Sequence, residues 1–311
     1  MPAKIAKLET GSDKRLICVS DIHGELDLFK ALLEKVGFCD DDILVLLGDV
    51  YLKGSQCHVC LKYIMELSKR PNVHVLRGNC DWTAEIYLDA DDKAWLDNLP
   101  HIIESDKFIF VHAGILSMNL QEQDPLFCMR NDAFMKNYNG KAFDKWVMAG
   151  HWPNVNYCDA VPCHNPIINY EKRIIAIDGG NVVNEDGQLN AFVVKGAEFS
   201  WIYADKFREM TVKQAQIGNL GSLNIIWLNR FVEIVEECEE FSHIRHLSSG
   251  KTLLVPTGKI WRDNEGRTCA GTMATDHWLA VNEGDVVSVV EVFSDRIFVK
   301  KDGISGWIWS E

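Results

Sequence analysis

The sequence lacks the features of membrane, secreted and nucleic-acid-binding proteins. No apolar run among its 311 residues is long enough to span a bilayer. The charged N-terminal stretch MPAKIAKLETGSDKR lacks the apolar core of a secretory signal. Positive charge is scarce, since 32 Lys and Arg face 45 Asp and Glu for a formal net charge of −13, which opposes nonspecific attraction to nucleic acid or anionic lipid. We therefore expect a cytoplasmic protein with neither a nucleic-acid nor a membrane partner.

The cysteines lack the spacing of a disulfide framework. There are ten, scattered over a long chain, and this arrangement is typical of reduced thiols. Two groupings have residue types that bind zinc: Cys57 with Cys60, and Cys158 with Cys163 and His164. The first falls inside a helical period and not on a zinc knuckle, so we predict no zinc site in either.

Short apolar runs that each end in a potential metal ligand recur up to residue 151. They are RLICVS before Asp21 and His23, DILVLLG before Asp49, VHVLRG before Asn79, FIFV before His112 and WVMAG before His151. Between them, ELDLFKALLEKVG and SQCHVCLKYIMELSKR have the spacing of amphipathic helices. This alternation predicts an α/β fold with a largely parallel sheet, in which sites lie at the carboxyl ends of the strands.

The second half of the chain predicts a change of architecture. The runs RIIAID, NAFVV and FSWIY continue the first sheet pattern to about residue 205. Residues 206–241 are mixed in character and are expected to be a connecting segment. From residue 242 to 311 short strands alternate with turns and no helical period is evident, which predicts a small all-β barrel. We therefore predict two domains, at 14–205 and 242–311.

The predicted ligands suit two divalent cations. Imidazole nitrogen and carboxylate oxygen favour Mn, Fe or Zn, and clustered thiolates are missing. Asp49 is the natural bridge, because two cations roughly 3.5–4 Å apart need one ligand that bonds to both. Each motif alone is weak, since Asp commonly caps helices and His often completes a core. Together, their succession at strand ends favours a metal centre.

Five motifs in order and spacing resemble those of the calcineurin-like metallophosphoesterases, most closely the bacterial branch of the PPP-type serine/threonine phosphatases. They are SDIHG at 20–24, LGDVYLKG at 47–54, LRGNCD at 76–81, VHAG at 111–114 and GHWP at 150–153. The resemblance covers roughly residues 14–205. It implies a sandwich of β-sheets flanked by helices and a metal-dependent phosphoesterase.

The resemblance also implies roles for individual residues. One cation would be held by Asp21, His23 and Asp49, and the other by Asp49, Asn79, His112 and His151. Manganese is the expected metal, with iron or zinc as alternatives. Lys53 stands where the family usually has arginine, and with Arg130 it would hold the phosphate. A lysine lacks the two-pronged contact of an arginine, and a surface ion pair is the alternative for Arg130.

Cys80 occupies the position where PPP phosphatases normally carry a histidine that protonates the leaving alcohol. The aspartate that pairs with this histidine is replaced by Leu52, so both halves of the pair are missing. A thiol without a charged partner is a poorly tuned general acid. Cys80 is therefore either a weak catalytic acid or a residue that packs behind the site. In either case the substitution favours substrates with a good leaving group.

Three functional hypotheses follow. The first is a PPP-like phosphatase in which a metal-bound hydroxide attacks a phosphomonoester, of a protein or a small molecule. The second is a phosphodiesterase or nucleotide pyrophosphohydrolase that favours good leaving groups. The third, from another class, is a catalytically weakened scaffold module that binds phosphate.

The C-terminal segment resembles a bacterial Src-homology-3-like barrel. The stretch VNEGDVVSVVEVFSDRIFVKKDGISGWIW has the strand, turn and Gly-Trp pattern of that fold. Trp261, Trp278, Trp307 and Trp309 could line a groove for a peptide or a cell-wall fragment. A small barrel also needs large aromatic side chains in its core, which is the alternative for most of them.

Overall fold

The computed structural model describes residues 2–9 and 14–310. By its internal contacts the chain divides into two units. The first consists of Met1–Asn154, Asn165–Val183 and Gly187–Asp205, and the second of Val155–His164, Asn184–Asp186 and Lys206–Glu311. No helix in the described ranges combines the length and the apolar character needed to cross a membrane.

The first unit contains two β-sheets and the α-helices. Its strands are β1 (Ile5–Lys7), β2 (Leu16–Val19), β3 (Ile43–Leu46), β4 (Val73–Val75), β5 (Ile102–Glu104), β6 (Phe108–Val111), β7 (Trp146–Ala149), β8 (Ile167–Asn169), β9 (Ile174–Ala176), β10 (Leu189–Lys195) and β11 (Glu198–Ala204). Its helices are α1 (Leu26–Val36), α2 (Cys57–Leu67), α3 (Asn79–Thr83), α4 (Ala90–Asn98), α5 (Pro125–Met129) and α6 (Phe134–Asn137).

The two sheets pack face to face. One has the order β11-β10-β2-β3-β4 and the other β1-β5-β6-β7-β9-β8. In β2, Cys18 faces a core shared with Phe110 of the second sheet, whereas Ile17 faces the core covered by the helices. This alternation follows from the period of two in a strand. The predicted α/β sandwich is confirmed.

The helices that cover the first sheet follow the apolar period of the sequence. In α1, Phe29, Leu32 and Val36 are buried on one side, and the helix ends at Gly37, whose left-handed φ of 63° suits glycine. In α2, Cys60 is buried in the core, so this cysteine acts as a small apolar residue.

The second unit is built from antiparallel strands. They are β12 (Arg208–Thr211), β13 (Val232–Glu236), β14 (Phe241–His246), β15 (Thr252–Pro256), β16 (Ile260–Arg262), β17 (Thr268–Ala270), β18 (Val286–Val292), β19 (Arg296–Lys301) and β20 (Ile304–Trp309). Their sheets have the orders β12-β18-β19-β20, β13-β14-β15 and β16-β17. A C-terminal all-β region is therefore confirmed, whereas its likeness to a Src-homology-3 barrel stays a prediction.

The stretch 206–241, expected to be a connection, contains two strands of the second unit. β12 pairs with β18, and β13 pairs with β14. Short segments from earlier in the chain also join this unit: the nitrogen of Ser305 donates to the carbonyl of Pro162 at 2.9 Å, and that of His164 to Gly303 at 2.8 Å. These pairings join residues far apart in sequence, so a local pattern does not indicate them.

The four tryptophans considered for a groove differ in their surroundings. Trp307 is 2% exposed and packs on Phe298, so it belongs to the core. Trp278 and Trp309 have ring centroids 4.2 Å apart, and Trp309 is 56% exposed. Trp261 is also partly exposed.

Candidate metal centre

All predicted metal ligands follow strands whose carboxyl ends are neighbours within their sheets. β2, β3 and β4 are parallel, as are β6 and β7. Asp21 and His23 follow β2, Asp49 follows β3, Asn79 follows β4, His112 follows β6 and His151 follows β7. Because parallel strands end at one edge, residues more than a hundred positions apart meet there.

Four of these ligands have left-handed backbones. The φ angles are 57° for Asp21, 51° for His23, 54° for Asp49 and 66° for His151. Side chains other than glycine rarely adopt this conformation, and such residues cluster at functional sites. Backbone bonds hold them in place: the nitrogen of His23 donates to the carbonyl of Asp49 at 2.8 Å, and that of His151 to Asp21 Oδ2 at 2.9 Å.

Two glycines allow the ligand loops to approach closely. A Cβ on Gly78 would lie 2.1 Å from Asp49 Oδ1, and one on Gly150 would lie 1.8 Å from Ser20 Oγ. Any side chain at these positions would displace the ligands. The glycines of the GNCD and GHWP motifs are therefore required by the geometry of the site.

Asp49 faces both halves of the site. Its Oδ2 lies 3.9 Å from His23 Nε2, and its Oδ1 lies 3.4 Å from His112 Nε2. Asp21 Oδ1 completes the first side at 3.6 Å from His23 Nε2. Asp49 is 1% exposed, so both oxygens are directed into the protein. This is the arrangement required of a ligand shared by two cations.

Three candidate ligand atoms converge on the second side. The terminal amide atom of Asn79 that lies 3.0 Å from His112 Nε2 also lies 2.8 Å from His151 Nδ1. His112 Nδ1 donates to the carbonyl of Leu47 at 2.8 Å, and His151 Nε2 lies 3.0 Å from Asp132 Oδ1. With those outer nitrogens protonated, the inner nitrogens carry lone pairs. The NH₂ group of Asn79 at this place would donate to both rings, whereas the amide oxygen turned toward them would make three acceptors for a cation. Such outer partners are typical of metal-binding histidines.

The electrostatics of the first side also fit a cation. Burial lowers the pKa of His23 to about 3, against the opposing effect of the Asp21 carboxylate, so the imidazole is neutral and able to ligate. Burial and the Asp21 carboxylate raise the pKa of Asp49 to about 6. Two buried carboxylates, Asp21 and Asp49, thus lie beside the neutral imidazole of His23, and the ammonium of Lys53 is a nearby positive charge. The donor set therefore fits two divalent cations.

Lys53 and Cys80 both lie at this site. Lys53 Nζ is 3.4 Å from His23 Nε2. Burial lowers the pKa of the Lys53 ammonium, but the neighbouring Cys80, Asp49 and Asp21 raise it, and the net shift is upward. Cys80 is 5% exposed, and its sulfur groups with donor atoms of His23 and Asp49, all within 4.8 Å of one another. The thiol therefore faces the metal pocket.

Arg130 lies near Asp132, the hydrogen-bond partner of His151. It is exposed, and its guanidinium lowers the pKa of Asp132, an effect smaller than that of the hydrogen bond from His151. Its role in holding phosphate stays a prediction. The structure thus places Arg130 near the partner of a ligand.

Asp81 is an important residue that the sequence analysis did not identify. Its carboxylate is fully buried and accepts hydrogen bonds from four backbone N–H groups. These belong to Gly78, Asp49, Val50 and Tyr51, at 2.8–3.1 Å. Asp81 therefore holds the left-handed turn that presents Asp49. The available signal was an acidic residue at the third position of the short helix α3.

Residues 14–183, more than half of the chain, match the family model described as calcineurin-like phosphoesterase. The chain belongs to this family. The predicted calcineurin-like family and the predicted enzyme class, a metal-dependent phosphoesterase, are thereby confirmed, whereas the PPP-type branch stays a prediction. The family implies divalent metal ions.

Curated relatives are similar to part of the chain. One is the symmetrical bis(5'-nucleosyl)-tetraphosphatase of Vibrio parahaemolyticus serotype O3:K6 (strain RIMD 2210633), which is 31% identical over 116 residues. The match covers 31% of this chain and 43% of that protein. The enzyme of the same name from Glaesserella parasuis serovar 5 (strain SH0165) is 29% identical over 120 residues, with the same coverage. The chain thus spans less than half the length of these relatives.

Solved structures are similar at low identity. A putative diadenosine tetraphosphatase has 21% identity and a TM-score of 0.48, with coverage of 65% of this chain and 98% of that one. A Saccharomyces cerevisiae serine/threonine phosphatase with similarity to human PP5 has 14% identity and a TM-score of 0.47, with coverage of 67% and 85%.

Proposed function

We propose that this protein is a dinuclear metal-dependent phosphohydrolase. The observation that carries the proposal is the position of Asp49, whose two carboxylate oxygens face histidines on opposite sides of the pocket. The other proposed ligands would complete a set on each side of it. Imidazole, carboxylate and amide donors suit manganese, with iron or zinc as alternatives.

Each of the site residues would have a separate role in the reaction. Bound divalent cations would supply Lewis acidity and lower the pKa of water. Asp49 would hold both cations at a fixed separation, and the outer partners of His112 and His151 would fix the ring orientations. The Lys53 ammonium would stabilise negative charge on phosphate oxygens. As a point charge it would neutralise the phosphate without the two-pronged geometry of an arginine.

We further propose that the substrates carry good leaving groups, as in the phosphoanhydrides of nucleotides. Leu52 supplies no carboxylate and Cys80 is a buried thiol, so an alkoxide would leave without a well-tuned proton donor. A phosphate leaving group needs little protonation. The name of the curated relatives, bis(5'-nucleosyl)-tetraphosphatase, supports this choice. A phosphoprotein substrate is the second candidate.

The decisive experiment measures turnover by metal-free and metal-loaded protein on four substrates: a nitrophenyl monoester, a nitrophenyl diester, a dinucleoside tetraphosphate and a phosphoserine peptide. We expect Mn-dependent hydrolysis with the phosphoserine peptide slowest. Asp49→Asn should abolish turnover and lower the Mn content, because it weakens the ligand shared by both cations. Asp144→Asn, the same change at an exposed position, is the control.

Two outcomes would contradict the proposal. Full activity in excess chelator, or in Asp49→Asn, would exclude the dinuclear mechanism. Binding of inorganic phosphate without turnover of any substrate would favour the scaffold module instead.

A further inference from the structure

Asp178 is a buried carboxyl residue at the same sheet edge as the proposed ligands, and the site described above does not use it. It lies two residues after β9, the parallel neighbour of β7. The nitrogen of Ile177 donates to the carbonyl of Ala149 at 2.9 Å, which extends this pairing. Because His151 lies two residues after β7, Asp178 emerges beside it at the carboxyl ends of the strands.

The turn that carries Asp178 is bonded to the loop of the first ligands. Asn181 Nδ2 donates to the carbonyl of Ile22 at 3.0 Å, and Ile22 lies between Asp21 and His23. On its other side, the carbonyl of Asp178 accepts from the nitrogen of Asn154 at 2.8 Å. The backbone around Asp178 is therefore fixed relative to the Asp21–His23 loop.

The side chain of Asp178 has an unsatisfied oxygen. The residue is 1% exposed, and its Oδ1 accepts from the nitrogen of Gly180 at 2.8 Å. Its Oδ2 is buried and has no hydrogen-bond partner within the described residues. A buried carboxylate oxygen without a donor is unfavourable, and a nearby cation relieves this cost.

The hydrogen bonds of this turn indicate which cation Asp178 would serve. Asn181 Nδ2 lies 3.0 Å from the carbonyl oxygen of Ile22 and 3.5 Å from that of Asp21, so the turn is joined to the loop of the first cation. In agreement with this proximity, burial and then the Asp21 carboxylate raise the pKa of Asp178. The Asp21 side has only three proposed protein ligands, whereas four are proposed for the other side. A further carboxylate is therefore most useful near Asp21.

We propose that Asp178 is a positioning residue that supplies an outer carboxylate to the divalent cation held by Asp21 and His23. This inference rests on the proposed dinuclear site and adds a residue to it. Loss of an outer partner of a metal site typically weakens metal binding by roughly 10–100-fold. The effect should fall on one of the two cations.

The test is an Mn titration of the full chain carrying Asp178→Asn, a change that keeps the shape of the side chain and the bond from Gly180. We expect one Mn per chain to bind normally and the other about 10–100-fold more weakly. Electron paramagnetic resonance at limiting Mn should show isolated ions in place of the coupled pair of the wild type. Excess Mn should restore the rate, which it would not do if the variant were simply misfolded.

Double variants locate the effect. In a His151→Ala background, Asp178→Asn should weaken the remaining Mn, whereas in a His23→Ala background it should have no further effect. Asp144→Asn, at an exposed position, should bind Mn as the wild type does. A second measurement needs no variant: Mn should slow hydrogen exchange across residues 177–181 of the wild type as the pair of sites fills.

The outcomes separate this inference from the proposed function. If the wild type binds two Mn and Asp178→Asn binds both with unchanged midpoints, the role of Asp178 is refuted and the dinuclear site stands. Unchanged exchange at 177–181 on Mn binding would refute it equally. If the wild type binds fewer than two Mn, both proposals fail.

Discussion

Replacement of Asp81 is the sharpest test of how the metal centre is built. The two carboxylate oxygens of Asp81 divide four backbone donors between them: Oδ2 accepts from Gly78 and Asp49, and Oδ1 accepts from Val50 and Tyr51. In Asp81→Asn one oxygen becomes an NH₂ group, which accepts nothing. Whichever way the amide is oriented, two buried N–H groups lose their acceptor.

The expected loss of stability follows from the number of N–H groups that lose their acceptor. A buried donor left without a partner costs about 1–3 kcal/mol, so two such donors should lower the free energy of unfolding by about 2–6 kcal/mol. Natural domains are stable by about 5–15 kcal/mol, so the loss is a large fraction of the total. The left-handed turn at Asp49 should also loosen, because its own N–H is one of the four donors.

Urea unfolding in chelator, followed by circular dichroism, measures the stability loss without a contribution from bound metal. Hydrogen exchange then tests the mechanism, since the amides of residues 49–51 should exchange much faster in Asp81→Asn while distant strands such as β10 change less. Asp144→Asn should match the wild type in both assays. An unfolding midpoint equal to that of the wild type, with unchanged exchange at residues 49–51, would refute the role assigned to Asp81.

Two further predictions concern the leaving group and the second unit. The double change Leu52→Asp with Cys80→His should raise the rate of phosphoserine hydrolysis by part of the roughly 10²–10⁴-fold that a positioned general acid contributes. The increase should exceed the product of the two single changes. Equal wild-type rates on phosphoserine and aryl esters would contradict this prediction. In the second unit, although burial opposes it, His164 lowers the pKa of Asp186 to about 2. Because this is below the unfolded value, the carboxylate stabilises the fold above about pH 4 and loses this contribution, about 2 kcal/mol, as the pH falls toward 2. Asp186→Asn should therefore weaken the dependence of stability on pH in acid, measured as unfolding followed by tryptophan fluorescence. An unchanged pH dependence would refute the role of the His164–Asp186 pair.

Local patterns were enough to predict the elements around the site. The run RLICVS became β2, DILVLLG contains β3, and the period of ELDLFKALLEKVG became α1 with its end at a glycine. These segments can be predicted from the sequence because a strand or a helix buries side chains at a regular spacing along the chain. The ligand types and their order are local features for the same reason, since each follows its own strand directly.

Other parts of the fold depend on pairing between residues far apart in the sequence, so local patterns did not predict them. The short strand β1 joins the second sheet through β5, almost a hundred residues later. The segments Val155–His164 and Asn184–Asp186 belong to the second unit although the sequence around them belongs to the first. No local period distinguishes such segments, because their hydrogen-bond partners lie far away in the chain.

The amino-acid sequence by itself determined the family, the fold class and the residues that could ligate metal, because these depend on residue type, order and spacing. Only the tertiary structure decided that the two oxygens of Asp49 face different histidines, that Asp81 holds its turn, and that one buried oxygen of Asp178 has no hydrogen-bond partner among the described residues. The physical reason is that the neighbours of a side chain are set by the order of the strands in the sheet. Whether a carboxylate finds a backbone donor, a cation or nothing depends on which strands are neighbours, and β9 lies beside β7 only in the folded sheet.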